Sequence, residues 1–373
     1  MSVRILAAAS PGEVRVAAVR DGDLLDYAIW RPGAPDGVGD IHRGRVTAKV
    51  PAMAGAFLAL DGTDGFLPDS EGAAGLSEGD ILPVRVTRAA QGGKGPRLTA
   101  RLEPELTQQF GGTGPPSLLT HGPGALLELA QRYPDASVAV DDSGLAARLK
   151  PALADRLSLC ARAFDDELAE QIDALAQQSI DLPNGARLHI HPTPALVAID
   201  VDAGGATAAR QGKAAAQLAV NRAVLPALAQ QIRLRNLSGA ILVDFAGLPA
   251  RRRSALAADL HAALAQDPLR PRLLGFTALG LAEIVRPRVH PPLHELLAGP
   301  HAAGLSALRR IAAQVAASPH RLPALRASPG IVAALQADPE ALPDLARRAG
   351  RPLILRSDPR LHATEWTIEE SDA

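Results

Sequence analysis

The sequence is short of cysteine, since Cys160 is alone among 373 residues. A single cysteine excludes a disulfide within the chain and a zinc finger built on cysteine ligands, and it is typical of a reducing compartment. No apolar run reaches the roughly 18 residues of a membrane-spanning helix. The apolar run near Met1 is broken at Pro11, too early for a signal peptide. We therefore expect a cytoplasmic protein.

Aromatic residues and an excess of charge are lacking too. Aromatics make up 3% of the chain, and 39 Lys and Arg residues are balanced by 40 Asp and Glu residues. This balance excludes a uniformly basic nucleic-acid binder but allows local basic patches. The chain is instead rich in apolar residues, at 47%, with 33 Gly and 31 Pro. Its length allows several domains, each with its own core.

Short β-rich runs separated by turn residues fill the first part of the chain. Three runs precede Pro32, over residues 3–8, 13–19 and 24–30. Five more cover residues 40–50, 54–60, 65–67, 81–88 and 96–102. Such closely spaced strands predict a small closed barrel over residues 39–102, of which the OB-fold is the commonest form. Residues 103–117 include a Gly- and Pro-rich stretch and are predicted to be a linker.

From residue 186 onward, strands and helices alternate. The periodicity predicts strands over residues 187–191, 195–201, 239–245 and 271–276, and helices over 214–235 and 252–265. Pro226 is expected to kink the first of these helices. Alternation of this kind indicates an α/β layer around a mostly buried sheet. Residues 299–373 are expected to form a small helical domain that ends in a short strand over residues 352–355, so the fold class is α+β with several domains.

Two aspartates end apolar runs of this α/β part. Asp200 follows residues 195–199, and Asp244 follows residues 240–243. A carboxylate at the carboxyl end of a buried strand lies at the sheet rim, where open α/β sheets bind ligands. Two such groups on neighbouring strands are suited to Mg²⁺, and Asp202 lies on the same strand face as Asp200. Helix capping or turn closure explains an Asp at a strand end equally simply.

Two of the few aromatic residues lie in the predicted barrel. Phe57 alternates with small residues, and Phe66 lies between Gly65 and Leu67. Both are candidates for stacking on bases, although core packing would also account for them. Cations near them favour a nucleic-acid surface, above all Lys94 in a glycine-rich loop that can approach a phosphate backbone closely. The other candidate cations of the barrel are Arg43, Arg45, Lys49 and Arg97.

Further basic residues follow Asp244. Residues 251–253 are three successive arginines, which a solvated surface explains, while Arg286 and Arg288 flank Pro287 and are candidates for RNA contacts. The histidines of this region are too irregularly spaced, without thiol or carboxylate companions, to indicate zinc. They are His290, His294 and His301.

Several sequence blocks, in order, resemble a known family. Residues 39–46, 54–60, 65–68 and 94–99 look like the S-one-type RNA-binding barrel of ribonucleases E and G. The nuclease core of that family is similar to residues 182–185, 195–204, 231–237, 239–245 and 280–288.

The resemblance implies a function and a site. The family's metal-binding catalytic aspartates fall on Asp200 and Asp244, and its RNA-contacting barrel residues fall on Phe57, Phe66 and Lys94. It also implies an RNase H-like part made of residues 1–38 and 118–181, a DNase-I-like catalytic part over 182–298 and the small domain over 299–373. The expected cofactor is Mg²⁺, or Mn²⁺ in its place, and no zinc is expected.

Four departures from the family pattern qualify this expectation. Asp202 stands where the family has Asn and adds negative charge, so it is also a candidate catalytic residue. The family's sensor of 5′ ends is reduced to the short segment 103–117. Residues 294–304 contain no cysteine for the family's zinc link, which argues against a zinc-linked tetramer and leaves a homodimer open. Ala278 replaces a basic residue.

We therefore expect a metal-dependent endoribonuclease that hydrolyses phosphodiester bonds in single-stranded RNA, in RNA processing or decay. The alternative is an RNA-binding protein that has the same scaffold but cleaves weakly or not at all. A nuclease acting on DNA rests on fold analogy alone.

Overall fold

The structure is a computed structural model that describes residues 2–182, 185–202, 213–318 and 323–369. The chain forms two compact units, of which the first comprises Met1–Gly33, Tyr133–Arg288 and Pro292–Ala373. The second comprises Ala34–Arg132 and Val289–Pro291. The second unit is thus an insertion in the chain of the first.

In the described ranges the strands are β1 (Arg4–Ser10), β2 (Glu13–Arg20), β3 (Asp23–Trp30), β4 (Ile41–Val50), β5 (Gly55–Ala59), β6 (Asp64–Pro68), β7 (Ile81–Arg88), β8 (Arg97–Thr99), β9 (Ser117–Thr120), β10 (Ser137–Val140), β11 (Leu157–Leu159), β12 (Ser179–Asp181), β13 (Arg187–Pro192), β14 (Val197–Asp202), β15 (Gly239–Asp244), β16 (Arg272–Phe276), β17 (Ala282–Arg286), β18 (Ala324–Ala327), β19 (Leu355–Ser357) and β20 (Trp366–Glu369). The α-helices are α1 (Pro104–Phe110), α2 (Gly124–Arg132), α3 (Ser143–Leu153), α4 (Asp166–Ala174), α5 (Lys213–Leu234), α6 (Ala250–Arg253), α7 (Ala257–Leu264), α8 (Leu293–Leu296), α9 (Gly299–Ala317), α10 (Pro329–Ala337) and α11 (Ala341–Ala349).

The second unit contains the closed barrel. Its strands follow the order β4-β5-β6-β8-β7, and β4 pairs with both β5 and β7, so the sheet closes on itself. Alternate side chains, among them Val46, Leu58, Leu67, Val84 and Leu98, point inward and form the core, as the period of two in a strand requires. The predicted closed barrel is confirmed.

The predicted linker carries structure of its own. Helix α1 begins at Pro104, where a missing N–H costs nothing, and Gly111 caps its end. No residue of α1 is buried. Strand β9 then pairs with β4 and extends the sheet of the barrel. The sequence did not predict helix α1, because this short segment has no apolar residues at helical spacing.

A charged histidine ties together distant segments of the second unit. Nδ1 of His290 lies 2.7 Å from an Asp36 carboxylate oxygen, and Nε2 lies 3.3 Å from a Glu128 carboxylate oxygen. Burial disfavours the charged ring, but the hydrogen bonds to the two carboxylates outweigh it and raise the pKa of His290 to about 10.

This shift predicts a pH-dependent contribution to stability. A group whose pKa is raised by folding stabilises the folded protein fully at pH values below its unfolded pKa of 6.5. This stabilisation is lost as the pH rises towards the folded-state pKa of about 10. We expect His290→Gln to lower the urea midpoint strongly at pH values near 6 and progressively less towards pH values near 10. His191→Gln, at an exposed position of β13, is the matched control. An effect of His290→Gln that stays constant with pH would contradict this account.

The first unit contains a five-stranded sheet of order β11-β10-β1-β2-β3. Strands β1, β2 and β3 pair antiparallel, whereas β10 runs parallel to β1 and β11 parallel to β10. Helix α4 packs on it through Leu168 and Ile172. This helix begins at Asp165, whose side chain accepts a hydrogen bond from the Leu168 N–H, a standard N-cap.

The first unit also contains a six-stranded sheet of order β12-β13-β14-β15-β17-β16. Helices α5 and α7 cover one face, where Leu225, Leu228 and Leu260 are fully buried against it. Helix α5 runs through Pro226 without interruption. The prediction of a mostly buried sheet is wrong for β13 and β14, because their residues alternate between buried and exposed or half-buried.

Residues 299–369 form more than helices in their described part. Helices α9, α10 and α11 pack against a three-stranded sheet of order β19-β18-β20. The expected short strand over residues 352–355 lies next to the observed β19, Leu355–Ser357. The description of a small helical domain is corrected for β18 and β20, because strands of four residues leave almost no period to detect. In the described ranges, every helix is too short or too polar to cross a bilayer.

Candidate active site

The two aspartates chosen from the sequence are neighbours in the six-stranded sheet. Strands β14 and β15 run parallel, and Asp200 and Asp244 occupy paired positions of their register. Each follows a buried residue, Ile199 or Val243, so each projects from the face that α5 and α7 leave uncovered. Asp200 is exposed, and the Asp244 side chain keeps half of its accessible surface. The structure thus brings together two carboxylates from positions far apart in the chain.

Asp200 also has a histidine beside it. His189 of β13 is its partner in the antiparallel ladder, and Ser179 of β12 is the partner of His189. The Ser179 hydroxyl lies 2.8 Å from Nδ1 of His189. Ser179, His189, Asp200 and Asp244 therefore form a row across four strands. Sequence reasoning missed His189 because β12, which completes the row, carries too short a pattern to recognise.

Asp202 lies on the same face as Asp200 and is exposed. Its ladder partner is Arg187, whose guanidinium donates to Asp181 at 2.6 Å. The hydrogen bond with Asp181 raises the pKa of Arg187, and the nearby negative charge of Asp202 raises it further. The negative charge of Asp202 therefore lies next to a positive one.

An arginine contacts Asp244 directly. Nη1 of Arg253 donates a short hydrogen bond to Oδ1 of Asp244 and another, of 3.2 Å, to the Gly280 carbonyl. Its Nε donates to the Leu248 carbonyl at 2.8 Å. Sequence reasoning assigned residues 251–253 to a solvated surface, which holds for exposed Arg251 and Arg252 but not for Arg253.

The donor set fits a magnesium ion that keeps most of its own water. Oxygen ligands are what Mg²⁺ prefers, and it is commonly held by one or two carboxylates plus phosphate oxygens. The carboxylate of Asp200 forms no ion pair or hydrogen bond within the described residues, so it is available. Across the same part of the chain, no three His, Cys, Asp or Glu side chains are grouped to hold an ion.

The barrel presents its two phenylalanines as a pair. The rings of Phe57 and Phe66 contact edge to face, with centroids 5.4 Å apart. They are partners in the β5–β6 ladder, Phe66 pairs with Arg97 of β8, and Arg97 pairs with Arg88 of β7. Phe57, Phe66, Arg97 and Arg88 thus form the barrel row, on the side opposite to the core residues Leu58, Leu67 and Leu98. Both rings are half-buried rather than core.

Two glycines make this surface possible. A Cβ on Gly55 would lie 2.5 Å from the Phe66 ring, so only glycine lets the ring lie over β5. A Cβ on Gly95 would lie 1.7 Å from the Asp64 carbonyl, so glycine lets the loop that carries exposed Lys94 approach the start of β6. Lys94 is thereby held close to the strand of Phe66.

The other predicted cations of the barrel are placed less uniformly. Arg45 is exposed, whereas Arg43 is half-buried and donates weakly to Ser117 at 3.4 Å. The Lys49 ammonium donates to the Ala73 carbonyl at 2.5 Å and lies 3.9 Å from an Asp69 carboxylate oxygen. Lys94 and Arg45 are therefore the more accessible charges.

Arg286 and Arg288 occupy positions that do not suit RNA contacts. The Arg286 side chain is 4% exposed and donates to Asp267, equally buried, at 2.7 Å, and to Asn236 at 2.6 Å. The Arg288 side chain is 13% exposed and forms two hydrogen bonds with Glu295. The protein itself occupies most of the donors of both guanidinium groups, although the buried Nε of Arg288 has no hydrogen-bond partner among the described residues. The assignment of these arginines to RNA binding stays a prediction that this packing does not favour.

Comparison with known proteins points to one family. Residues 142–289, which include both aspartates, match the model described as the ribonuclease E/G family. A ribonuclease E of Nostoc sp. is 36% identical over 118 residues, and one of Escherichia coli is 34% identical over 132 residues. These alignments cover 31% and 35% of this chain but only 17% and 12% of the two relatives.

A longer and more distant similarity involves ribonuclease G of Escherichia coli. It is 23% identical over 403 aligned positions, which cover 80% of this chain and 82% of that protein. The predicted resemblance to the ribonuclease E/G family is thus confirmed.

Proposed function

We propose that this chain, as a relative of the ribonuclease E/G family, is an endoribonuclease that hydrolyses phosphodiester bonds in single-stranded RNA. The observation that carries the proposal is the pairing of Asp200 with Asp244 on an open sheet face, inside the segment that matches the family model. Mg²⁺, or Mn²⁺ in its place, is the proposed cofactor. Asp200 and Asp244 are the proposed ligands, and Asp202 adds charge beside them.

The proposed ion, the two carboxylates and the open sheet face have different roles in the proposed reaction. When bound, the ion supplies Lewis-acid chemistry, which activates water and offsets the negative charge of the transition state. The two carboxylates hold that ion at a rim that solvent reaches. The open face leaves room for a nucleic-acid strand, because nothing in the described part of this unit packs over Asp200.

RNA binding is assigned to the barrel row and the loop of Lys94. Bases stack on aromatic rings irrespective of sequence, and cations beside them contact the backbone phosphates. Phe57 and Phe66 offer the rings, while Lys94 and Arg97 offer the charge, and Arg43 lies on the neighbouring strand β4. A single strand suits this surface, because stacking requires unpaired bases.

The architecture supports a finer assignment of the three main sheets. The five-stranded sheet, with its three antiparallel strands followed by two parallel ones, is proposed to be RNase H-like. The six-stranded sheet is proposed to be the DNase-I-like catalytic part, and the barrel an OB-fold of the S-one type. We propose a cytoplasmic protein that acts without zinc and is compatible with a homodimer.

A second function is favoured by specific residues. Asp202 makes the site more acidic than the family pattern, Ala278 lacks the family's positive charge, and Arg253 occupies one oxygen of Asp244. Each feature fits an RNA-binding protein with weak cleavage. A fluorescent AU-rich single strand separates the two functions, because the proposed enzyme cuts it with Mg²⁺ and stops when EDTA is added. Binding without any cleavage would establish the second function instead.

Removal of one ring tests the barrel. We expect Phe57→Ala or Phe66→Ala to weaken binding of single-stranded RNA by about 1–3 kcal/mol per stacked base, with the urea midpoint little changed because both rings are half-buried. Fluorescence anisotropy with labelled RNA measures the change, and Phe276→Ala in the other unit is the matched control. A large loss of stability with unchanged RNA affinity would show that the rings only support the fold.

A further inference from the structure

One arginine of the candidate site has no role in the proposed cleavage so far. Arg253 is the last residue of α6, and its side chain is 12% exposed, whereas Arg251 and Arg252 are exposed. A solvated charge would not be held this way. Three acceptors from three different segments bind its guanidinium, namely the Leu248 carbonyl, the Gly280 carbonyl and Oδ1 of Asp244.

The backbone around Arg253 is shaped to admit it. Gly280 has a φ of +88°, and a Cβ there would lie 2.9 Å from Cδ of Arg253 and from Cα of Ala250. A side chain at position 280 would therefore force Ala250 or the Arg253 side chain to move. The same loop contains Ala278 in place of the family's positive charge, so Arg253 brings a cation to a loop that lacks one.

The contact leaves Asp244 with two unequal oxygens. Oδ1 accepts from Arg253, whereas Oδ2 has no partner within the described residues, and the side chain is 50% exposed. An aspartate restrained through one oxygen can turn less freely and presents the other in a fixed direction. A positive charge next to the carboxylate also opposes the binding of a second cation.

Resting on the proposed function, we propose that Arg253 is the positioning residue of the metal site. It fixes Asp244 through Oδ1, reserves Oδ2 for the divalent ion and offsets the negative charge that Asp202 adds. The positive charge would lower the affinity for a divalent ion, and the restrained carboxylate of Asp244 would hold that ion in a fixed position.

Substitutions of Arg253 separate the effect of its positive charge from the effect of its hydrogen-bonding geometry. We expect Arg253→Ala and Arg253→Gln to bind Mn²⁺ about tenfold more tightly, because the opposing charge is gone, and to cleave RNA with a kcat at least about tenfold lower and an unchanged KM. Arg253→Lys keeps the positive charge but not the full set of hydrogen bonds that the guanidinium makes to Leu248, Asp244 and Gly280. It should restore the wild-type Mn²⁺ affinity and only part of kcat. Arg251→Ala and Arg252→Ala should change neither value.

Electron paramagnetic resonance of free Mn²⁺ measures the affinity without any need for cleavage. If Arg253→Ala does not fold, Arg253→Gln and Arg253→Lys, which retain more of the side chain's volume, carry the test. Unchanged Mn²⁺ affinity in a folded Arg253→Gln variant would overturn the inference, as would weaker affinity in all three variants. Failure of the proposed function looks different, because the wild-type protein would then bind no Mn²⁺ that depends on Asp200 and Asp244.

Discussion

Asparagine in place of Asp200 or Asp244 is expected to lower the rate of RNA cleavage about a thousandfold or more. Each substitution removes one negative charge from the proposed ion and keeps the volume of the side chain. Because both side chains project from an uncovered sheet face, neither substitution should disturb the core. Single-turnover cleavage of a labelled single strand in excess Mg²⁺ is the measurement, and RNA affinity should stay at the wild-type value.

Three further variants make the result specific. The double variant should be about as slow as the slower single one, because residues that act as a unit are not additive. Asp202→Asn, which creates the family's pattern at that position, should remain active. Asp259→Asn removes an exposed carboxylate that pairs with Arg222 on the helical side, and it is the matched control. Cleavage at the wild-type rate by the double variant would assign the activity to another site or to a contaminant.

Removal of the Arg286 side chain should cost about 3–5 kcal/mol of the free energy of unfolding, since Asp267 would be left as a buried charge without its partner. Arg286 links three segments of the first unit, because it donates to Asp267 after α7 and to Asn236 and Leu237 after α5. Urea denaturation of Arg286→Ala measures the loss. Arg272→Ala, at an exposed position of the edge strand β16, should change stability by less than about 0.5 kcal/mol.

RNA affinity distinguishes this structural role from a role in binding. Measured well below the melting temperature, the affinity of Arg286→Ala should equal that of the wild type. A stable Arg286→Ala variant that binds RNA poorly would restore the interpretation drawn from the sequence. Substitution of Asp267 by Asn should also destabilise the protein, which a direct RNA contact by Arg286 would not require.

The sequence predicted the elements whose pattern is local. Period-two alternation located the barrel strands, and apolar runs before Asp200 and Asp244 located β14 and β15. It did not predict β17, where Glu283 and Arg286 interrupt the apolar residues and a Pro follows. The core of the sheet nonetheless uses Ala282 and Ile284 of this strand. The expectation of a small helical domain over residues 299–373 missed β18 and β20 for a related reason, because four-residue strands have too few positions to show a period.

The charged residues show where local patterns end. Three successive arginines look alike in the sequence, yet Arg253 alone is bound to Asp244. Arg286 next to a proline looked like a surface cation, yet its partner Asp267 lies on another segment and buries it. An ion pair is a property of the folded chain, because both partners have to arrive at one place. The sequence could therefore name the two aspartates of the candidate site but not the arginine that holds one of them.

The barrel row has a consequence for the selection of RNA targets. Phe57 and Phe66 present ring surfaces, and every base has a flat face that can stack on a ring. Arg97 and Lys94 are the proposed phosphate contacts, and phosphates are the same in every nucleotide. If the barrel binds RNA as proposed, we expect such a surface to hold all unpaired sequences with similar affinity. Any preference for a particular cleavage site must then arise from side chains on the open face of the six-stranded sheet, of which His189 is the nearest to Asp200 in the strand register.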